Sequence, residues 1–152
     1  MKIFYGKAVY GMDEVKASIN VLKKKSLTLI DGPSVKILEK KIASTFGKKF
    51  GLMVNSGSSA NLLALASLKL KKGSEIITPT LTFSTTVAPI YQLGLVPHFV
   101  DVGKNTFVVN VDQIQKAINK KTKAIIIPNL IGNVPDWKKI HSICKKHNLK
   151  II

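Results

Sequence analysis

From Gly51 onward the sequence alternates short apolar runs with helix-length segments, and this rhythm constrains the fold more than any other feature of the chain. The runs fall at Leu52 to Val54, Glu75 to Thr78, Val96 to Val100 and Ala124 to Ile127, and the segments between and after them span 58–70, 84–93, 112–119 and 136–147. Strands alternating with helices build a mostly parallel sheet through right-handed crossovers, with helices covering its faces. The expected fold class is therefore α/β, and its ligand site should lie beyond the carboxyl ends of the strands.

Upstream of Gly51 the pattern is helical. Asp13 can cap a helix running toward Lys24 with Val15, Ile19 and Leu22 at helical spacing, and Asp31-Gly32-Pro33 breaks the chain. Ser34 is the expected cap of a second helix, in which Val35, Leu38, Ile42 and Phe46 form an apolar stripe suited to packing on a core; Gly47 ends it. This divides the chain into a helical segment, 1–33, and an α/β domain, 34–152. The final residues, Leu149 to Ile152, read as the opening of a further strand with no loop or helix after it, so the expected α/β domain is incomplete, although a plain edge strand fits the same residues.

With 152 residues the chain can bury a core without disulfide or metal, and its single cysteine, Cys144, suits a reducing, cytoplasmic setting. Met1 to Glu14 lack the apolar centre of a signal peptide, and polar residues, Gly or Pro interrupt every apolar run before it reaches membrane-spanning length. The charge is +16, from 24 basic and 8 acidic residues. All the basic residues are lysines, scattered with short clusters such as Lys23-Lys24-Lys25 and Lys71-Lys72. Arginine, which reads phosphate and guanine bidentately, is missing, so specific nucleic-acid recognition is not expected; solubility and a coding bias toward Lys, Asn and Ile are the plain alternatives.

Three stretches follow runs of the series and can carry chemistry. Val54-Asn55-Ser56-Gly57-Ser58-Ser59-Ala60-Asn61 opens a helix, where unpaired backbone N–H groups, the positive end of the dipole and the hydroxyls of Ser58 and Ser59 can cradle a phosphate. Gly57 would let the backbone approach closely. An ordinary serine N-cap explains the same residues, and the stretch has neither the P-loop nor the dinucleotide glycine pattern. In Thr78-Pro79-Thr80-Leu81-Thr82-Phe83-Ser84, Phe83 can cover a flat ring or simply pack under the following helix. In Pro128 to Asp136, Asn129 is the polar group expected to face the site. His98, His141 and His147 make no metal-ligand pattern, and Cys144 reads as a core residue.

Taken together, Gly32-Pro33-Ser34-Val35 to Phe46-Gly47, Asn55 to Asn61 with Leu62-Leu63-Ala64-Leu65, Glu75-Ile76-Ile77-Thr78-Pro79, Phe83 to Thr86, Gly94 to Asp101 and Gly132 to Asp136 resemble the DegT-type sugar aminotransferase family in order and spacing. The resemblance implies the large domain of a type I aminotransferase-like fold and the cofactor pyridoxal 5'-phosphate. Gly57, Ser58 and Ser59 would hold the cofactor phosphate, Phe83 would stack on its ring, and Asn129, where relatives often have His, would touch cofactor or substrate. It also implies a nucleotide-linked keto-sugar as substrate, an amino donor such as glutamate, a role in polysaccharide or deoxyaminosugar biosynthesis, and a homodimer. The family's pyridine-binding Asp follows a strand matching Leu149 to Ile152 and its Schiff-base Lys comes later. None of the 24 lysines matches that position, so no catalytic residue is assigned and residues 1–152 alone are expected to be inactive.

Within the family, Phe4-Tyr5-Gly6-Lys7-Ala8-Val9-Tyr10 and Ser58 to Leu63 also look like the sugar 3-dehydrase branch, in which His replaces that Lys. The expected activity is nucleotide-sugar amino transfer, with deoxysugar 3-dehydration as the alternative. An inactive fragment, or half of a split protein serving as a binding module, is the remaining one.

Overall fold

A computed structural model describes residues 6–24 and 29–152. Phe4, Tyr5 and Lys25, used above, lie outside the described residues. The chain forms two compact units, Met1–Met53 and Val54–Ile152.

The first unit holds α1 (Met12–Lys23) and α2 (Pro33–Thr45). α2 thus falls on the other side of the division from where a break after residue 33 puts it. The cap of α1 is Gly11, not Asp13: the Glu14 carboxylate accepts from the Gly11 N–H at 2.7 Å, and that bond holds the Glu14 carboxyl below its usual range. Asp13 instead lies within the first turn, where a negative charge complements the dipole. Gly32 likewise takes the cap position expected of Ser34, because Pro33 starts the helix and pushes Ser34 inside it. Gly47 ends α2 as expected, with φ 61° and its N–H donating to the Ser44 carbonyl. The apolar stripe of α2 is not in a core, however. Leu38, Ile42 and Phe46 are 42%, 48% and 70% exposed, and only Ala43 of this helix is buried.

In the second unit come α3 (Gly57–Ser67), β1 (Glu75–Pro79), α4 (Ser84–Gln92), β2 (Val96–Val100), α5 (Val111–Ala117), β3 (Thr122–Ile125), a single 3-10 turn (Leu130–Gly132), α6 (Trp137–Lys146) and β4 (Lys150–Ile151). The four strands are parallel and ordered β2-β1-β3-β4, with Glu75 opposite Val96 on one side of β1 and Ile77 opposite Ile125 on the other. The run Leu52 to Val54, expected as a strand, is not one: it has no ladder partner among the described residues, and Leu52 is 76% exposed. An apolar run becomes a strand only where a neighbour accepts its backbone bonds.

Each central strand is covered on both faces, which is why its residues are apolar without alternation. Ile77, Ile125 and Ile127 pack with Ile114 of α5 and Ile140 and Cys144 of α6. Ile76, Ala124 and Ile126 pack on the opposite face with Leu65 of α3 and Ile90 of α4. Helices α3 and α4 therefore share one face, and both begin at the carboxyl edge of the sheet.

Candidate functional site

The serine turn begins α3. Ser56 is the N-cap, its Oγ accepting from the Ser59 N–H at 3.2 Å, while its carbonyl accepts from the Ala60 N–H at 3.1 Å. The Ser59 hydroxyl donates to Asn55 Oδ1 at 2.7 Å and lies 3.2 Å from Ser56 Oγ. Both polar groups of Ser59 are thus engaged in holding the turn. The backbone N–H groups of Gly57 and Ser58 and the Ser58 hydroxyl have no partner among the described residues, and these are the groups free to meet an anion. A Cβ added at Gly57 would meet nothing within 4 Å, so the packing of the chain itself does not demand glycine there. Ser56 and Asn55, which fix the geometry, are not among the phosphate-holding residues expected from the sequence. The signal for them was the serine directly before the helical glycine.

The second stretch lies beside the first. Pro89 sits inside α4 and has no N–H for the carbonyl of Thr85 four residues earlier. The Asn61 carboxamide of α3 donates to that carbonyl at 3.3 Å, tying the second turn of α3 to the first turn of α4. Ser58, Ser59 and Leu62 face Thr85, Ala88 and Pro89 across an open cleft of about 200 Å³. Phe83 is the residue before α4, 66% exposed and not packed under the helix; its carbonyl accepts from the Thr86 N–H at 2.9 Å. Thr80 pins the connecting loop to the end of β2, its N–H and hydroxyl both donating to the Val100 carbonyl at 2.8 and 3.0 Å. Deeper in, the Thr78 hydroxyl near the end of β1 is fully buried and has no partner among the described residues.

Asn129 follows β3 at the same edge, before the 3-10 turn. It is exposed, and its Oδ1 accepts from Trp137 Nε1 at 3.1 Å, so one end of its carboxamide braces the start of α6. No hydrogen bond among the described residues joins it to the serine turn. The structure brings the serine turn and α4's first turn into direct contact, and sets Asn129 on the same edge as they are. Cys144 is 2% exposed in the core, and burial raises its thiol pKa, in keeping with an inert thiol.

Residues 10–152 match the DegT/DnrJ/EryC1/StrS aminotransferase family. The chain belongs to this family. Among its relatives, a GDP-4-keto-6-deoxy-D-mannose 3-dehydratase of Yersinia pseudotuberculosis is 43% identical over 80% of this chain and 32% of its own length. A 3-oxo-glucose-6-phosphate:glutamate aminotransferase of Bacillus subtilis is 32% identical over 92% of this chain and 32% of its own. The solved structure of the E. coli GDP-4-keto-6-deoxy-D-mannose-3-dehydratase with bound hydrated PLP superposes with a TM-score of 0.88 at 38% identity, covering 95% of this chain and 38% of that one. The chain spans about a third of the length of the curated relatives it matches. The family fold agrees with the α/β expectation drawn from strand and helix alternation.

Proposed function

We propose that these residues form the phosphate-binding part of a pyridoxal-phosphate-dependent enzyme acting on nucleotide-linked keto-sugars, and that the reaction is 3-dehydration of a 4-keto-6-deoxysugar. The observation that carries the cofactor assignment is the pair of unpartnered N–H groups at Gly57 and Ser58 beside the Ser58 hydroxyl, on an 11-residue helix. A dianionic phosphate suits such donors, with the helix dipole adding to the attraction. Phe83, exposed at the neighbouring helix start, would lie against the pyridine ring, and Asn129 would line the same edge. When bound, the cofactor supplies an electron sink, and the protein supplies orientation and electrostatics. Ser59 contributes through the turn it holds in place.

Dehydration is favoured over amino transfer by the relatives: the 3-dehydratases of Yersinia and E. coli are 43% identical to this chain, against 32% for the B. subtilis aminotransferase. Amino transfer is the second reading, supported by that aminotransferase matching over 92% of the chain. Glutamate as amino donor, a homodimer and a cytoplasmic location complete the proposal.

The test supplies an enzyme of full family length with pyridoxal phosphate, glutamate and a nucleotide-linked 4-keto-6-deoxysugar, and follows the sugar by mass spectrometry. Loss of the 3-hydroxyl supports dehydration; replacement of the keto oxygen by an amino group would establish the aminotransferase instead. Residues 1–152 purified alone should show no turnover, because no lysine or histidine in them takes the cofactor-anchoring position. Multiple turnovers by that fragment would overturn this part of the reading.

A further inference from the structure

The lysines of the second unit are segregated by the topology. Parallel strands collect their amino ends, together with the carboxyl ends of the crossover helices, at one edge of the sheet. At that edge lie Lys69, Lys71 and Lys72 before β1, Lys116 in the last turn of α5, Lys120, Lys121 and Lys123 around the start of β3, and Lys145, Lys146 and Lys150 around the start of β4. All ten are exposed, and among the residues of the second unit the only carboxylate there is Glu75. Its side chain is 17% exposed and bonded to Asn119 and His98, so it does little to offset them. The opposite edge, which carries the serine turn, is balanced: Lys104, Lys138 and Lys139 against Asp101, Asp112 and Asp136, with Lys139 3.7 Å from Asp136.

Complementing helix dipoles accounts for part of this. Cations in a final helical turn are stabilising, and Lys116, Lys145 and Lys146 stand there. The remaining lysines are in loops and strand starts. β1, β3 and β4 are consecutive in the sheet, and neighbouring strands lie about 4.8 Å apart, so their lysine-bearing starts form one row across the edge. The loops 69–74, 117–123 and 147–150 expose no large apolar side chain, and the two that this edge does expose, Tyr91 near the end of α4 and Val96 at the start of β2, stand at its β2 end, beyond the lysine row. Nor does the row contain an arginine to read bases.

We propose that this amino edge is a binding surface for the phosphate backbone of nucleic acid, without base selectivity and separate from the carboxyl-edge site. Charge concentrated on one face without bidentate donors fits contact through counterion release, in which each neutralised phosphate adds about 0.9 to the salt slope of binding.

The test measures anisotropy of a fluorescein-labelled DNA duplex with the full chain across a salt series around 0.15 M, a range in which exposed charges are strongly screened. Two variants remove the same charge from the same unit: Lys120→Gln/Lys121→Gln/Lys123→Gln at the amino edge and Lys104→Gln/Lys138→Gln/Lys139→Gln at the other. The edge triple should lose tenfold or more in affinity and lower the salt slope by about 3, while the control changes less than threefold. Equal losses would show that net charge alone drives binding and overturn the assignment. So would failure of the unaltered chain to bind near 0.15 M salt. Tighter binding to phosphatidylglycerol vesicles than to the duplex would overturn it in favour of a membrane. Circular dichroism confirms that both triples fold, and Lys71→Gln/Lys72→Gln, in a separate loop of the same row, repeats the test if the first triple does not.

Discussion

The Asn61 carboxamide donates to the Thr85 carbonyl, the same carbonyl that Pro89 leaves without a helical donor. Asn61→Ala should therefore strand a half-buried acceptor and lower stability by about 1 to 3 kcal/mol. Pro89→Ala would supply the missing N–H within α4, so the loss from Asn61→Ala should be smaller in the Pro89→Ala background. Urea unfolding of the two single variants and the double closes the cycle, and strict additivity would show that the two residues do not share this carbonyl.

Ser58 and Ser59 have different tasks in the turn. In an enzyme of full family length, Ser58→Ala should weaken pyridoxal phosphate by about 1 to 3 kcal/mol, the range for one charge-assisted hydrogen bond, and leave pyridoxal, which lacks the phosphate, unchanged. Ser59→Ala should loosen the cap and lower thermal stability as well. Absorbance titration of both ligands separates the two effects, and an unchanged phosphate preference in the double Ser→Ala variant would count against the site.

Much of this edge was legible in the sequence because strand-loop-helix order alone decides which end of a parallel sheet a residue occupies. Phe83 is placed that way; Gly57 and Ser58 are not, since no strand precedes them among the described residues, and they reach this edge because α3 runs back toward the start of β1. The division of labour between Ser58 and Ser59 was not legible either, since it depends on whether Asn55 reaches the Ser59 hydroxyl. The strand expected at Leu52 to Val54 failed for a related reason: apolar character is local, but a ladder needs a neighbour. Gly11 and Gly32 cap the helices where Asp13 and Ser34 are expected, because a side-chain oxygen near a helix start is a strong signal even when the helix starts two residues earlier.

Glu75 supplies a prediction about pH. The Asn119 amide, 2.7 Å from its carboxylate, and then His98, hold its pKa below the usual range despite partial burial, which acts the other way. A carboxyl depressed in the folded state contributes stability above its unfolded pKa and loses it as pH falls through the folded value. Asn119→Ala should raise the Glu75 pKa, seen as an upward shift of its carboxyl titration by NMR, and should lower stability at neutral pH while shrinking the part of that stability lost on acidification.

Ile131 is β-branched yet has φ 53°, in the left-handed region, and is 83% exposed. Left-handed backbone costs such a residue roughly 1 to 2 kcal/mol, and little packing offsets it. Ile131→Asn should stabilise the chain by about 0.5 to 1 kcal/mol, read as a higher urea midpoint with an unchanged slope.

The strand order carries a consequence for how the chain acquires its structure. β1 is held on one side by β2, which follows it after a single helix, and on the other by β3, whose residues come only after a second helix has been made. Closing the longer loop costs more entropy and comes later, so β1–β2 with α4 is the natural nucleus. As the chain emerges from the ribosome, this nucleus would wait with one flank of β1 bare until Thr122–Ile125 is synthesised. During that interval Ile76 and Ile77 stand at an open sheet margin, where a bare strand flank can pair with another chain, so a pause in translation before β3 prolongs that exposure.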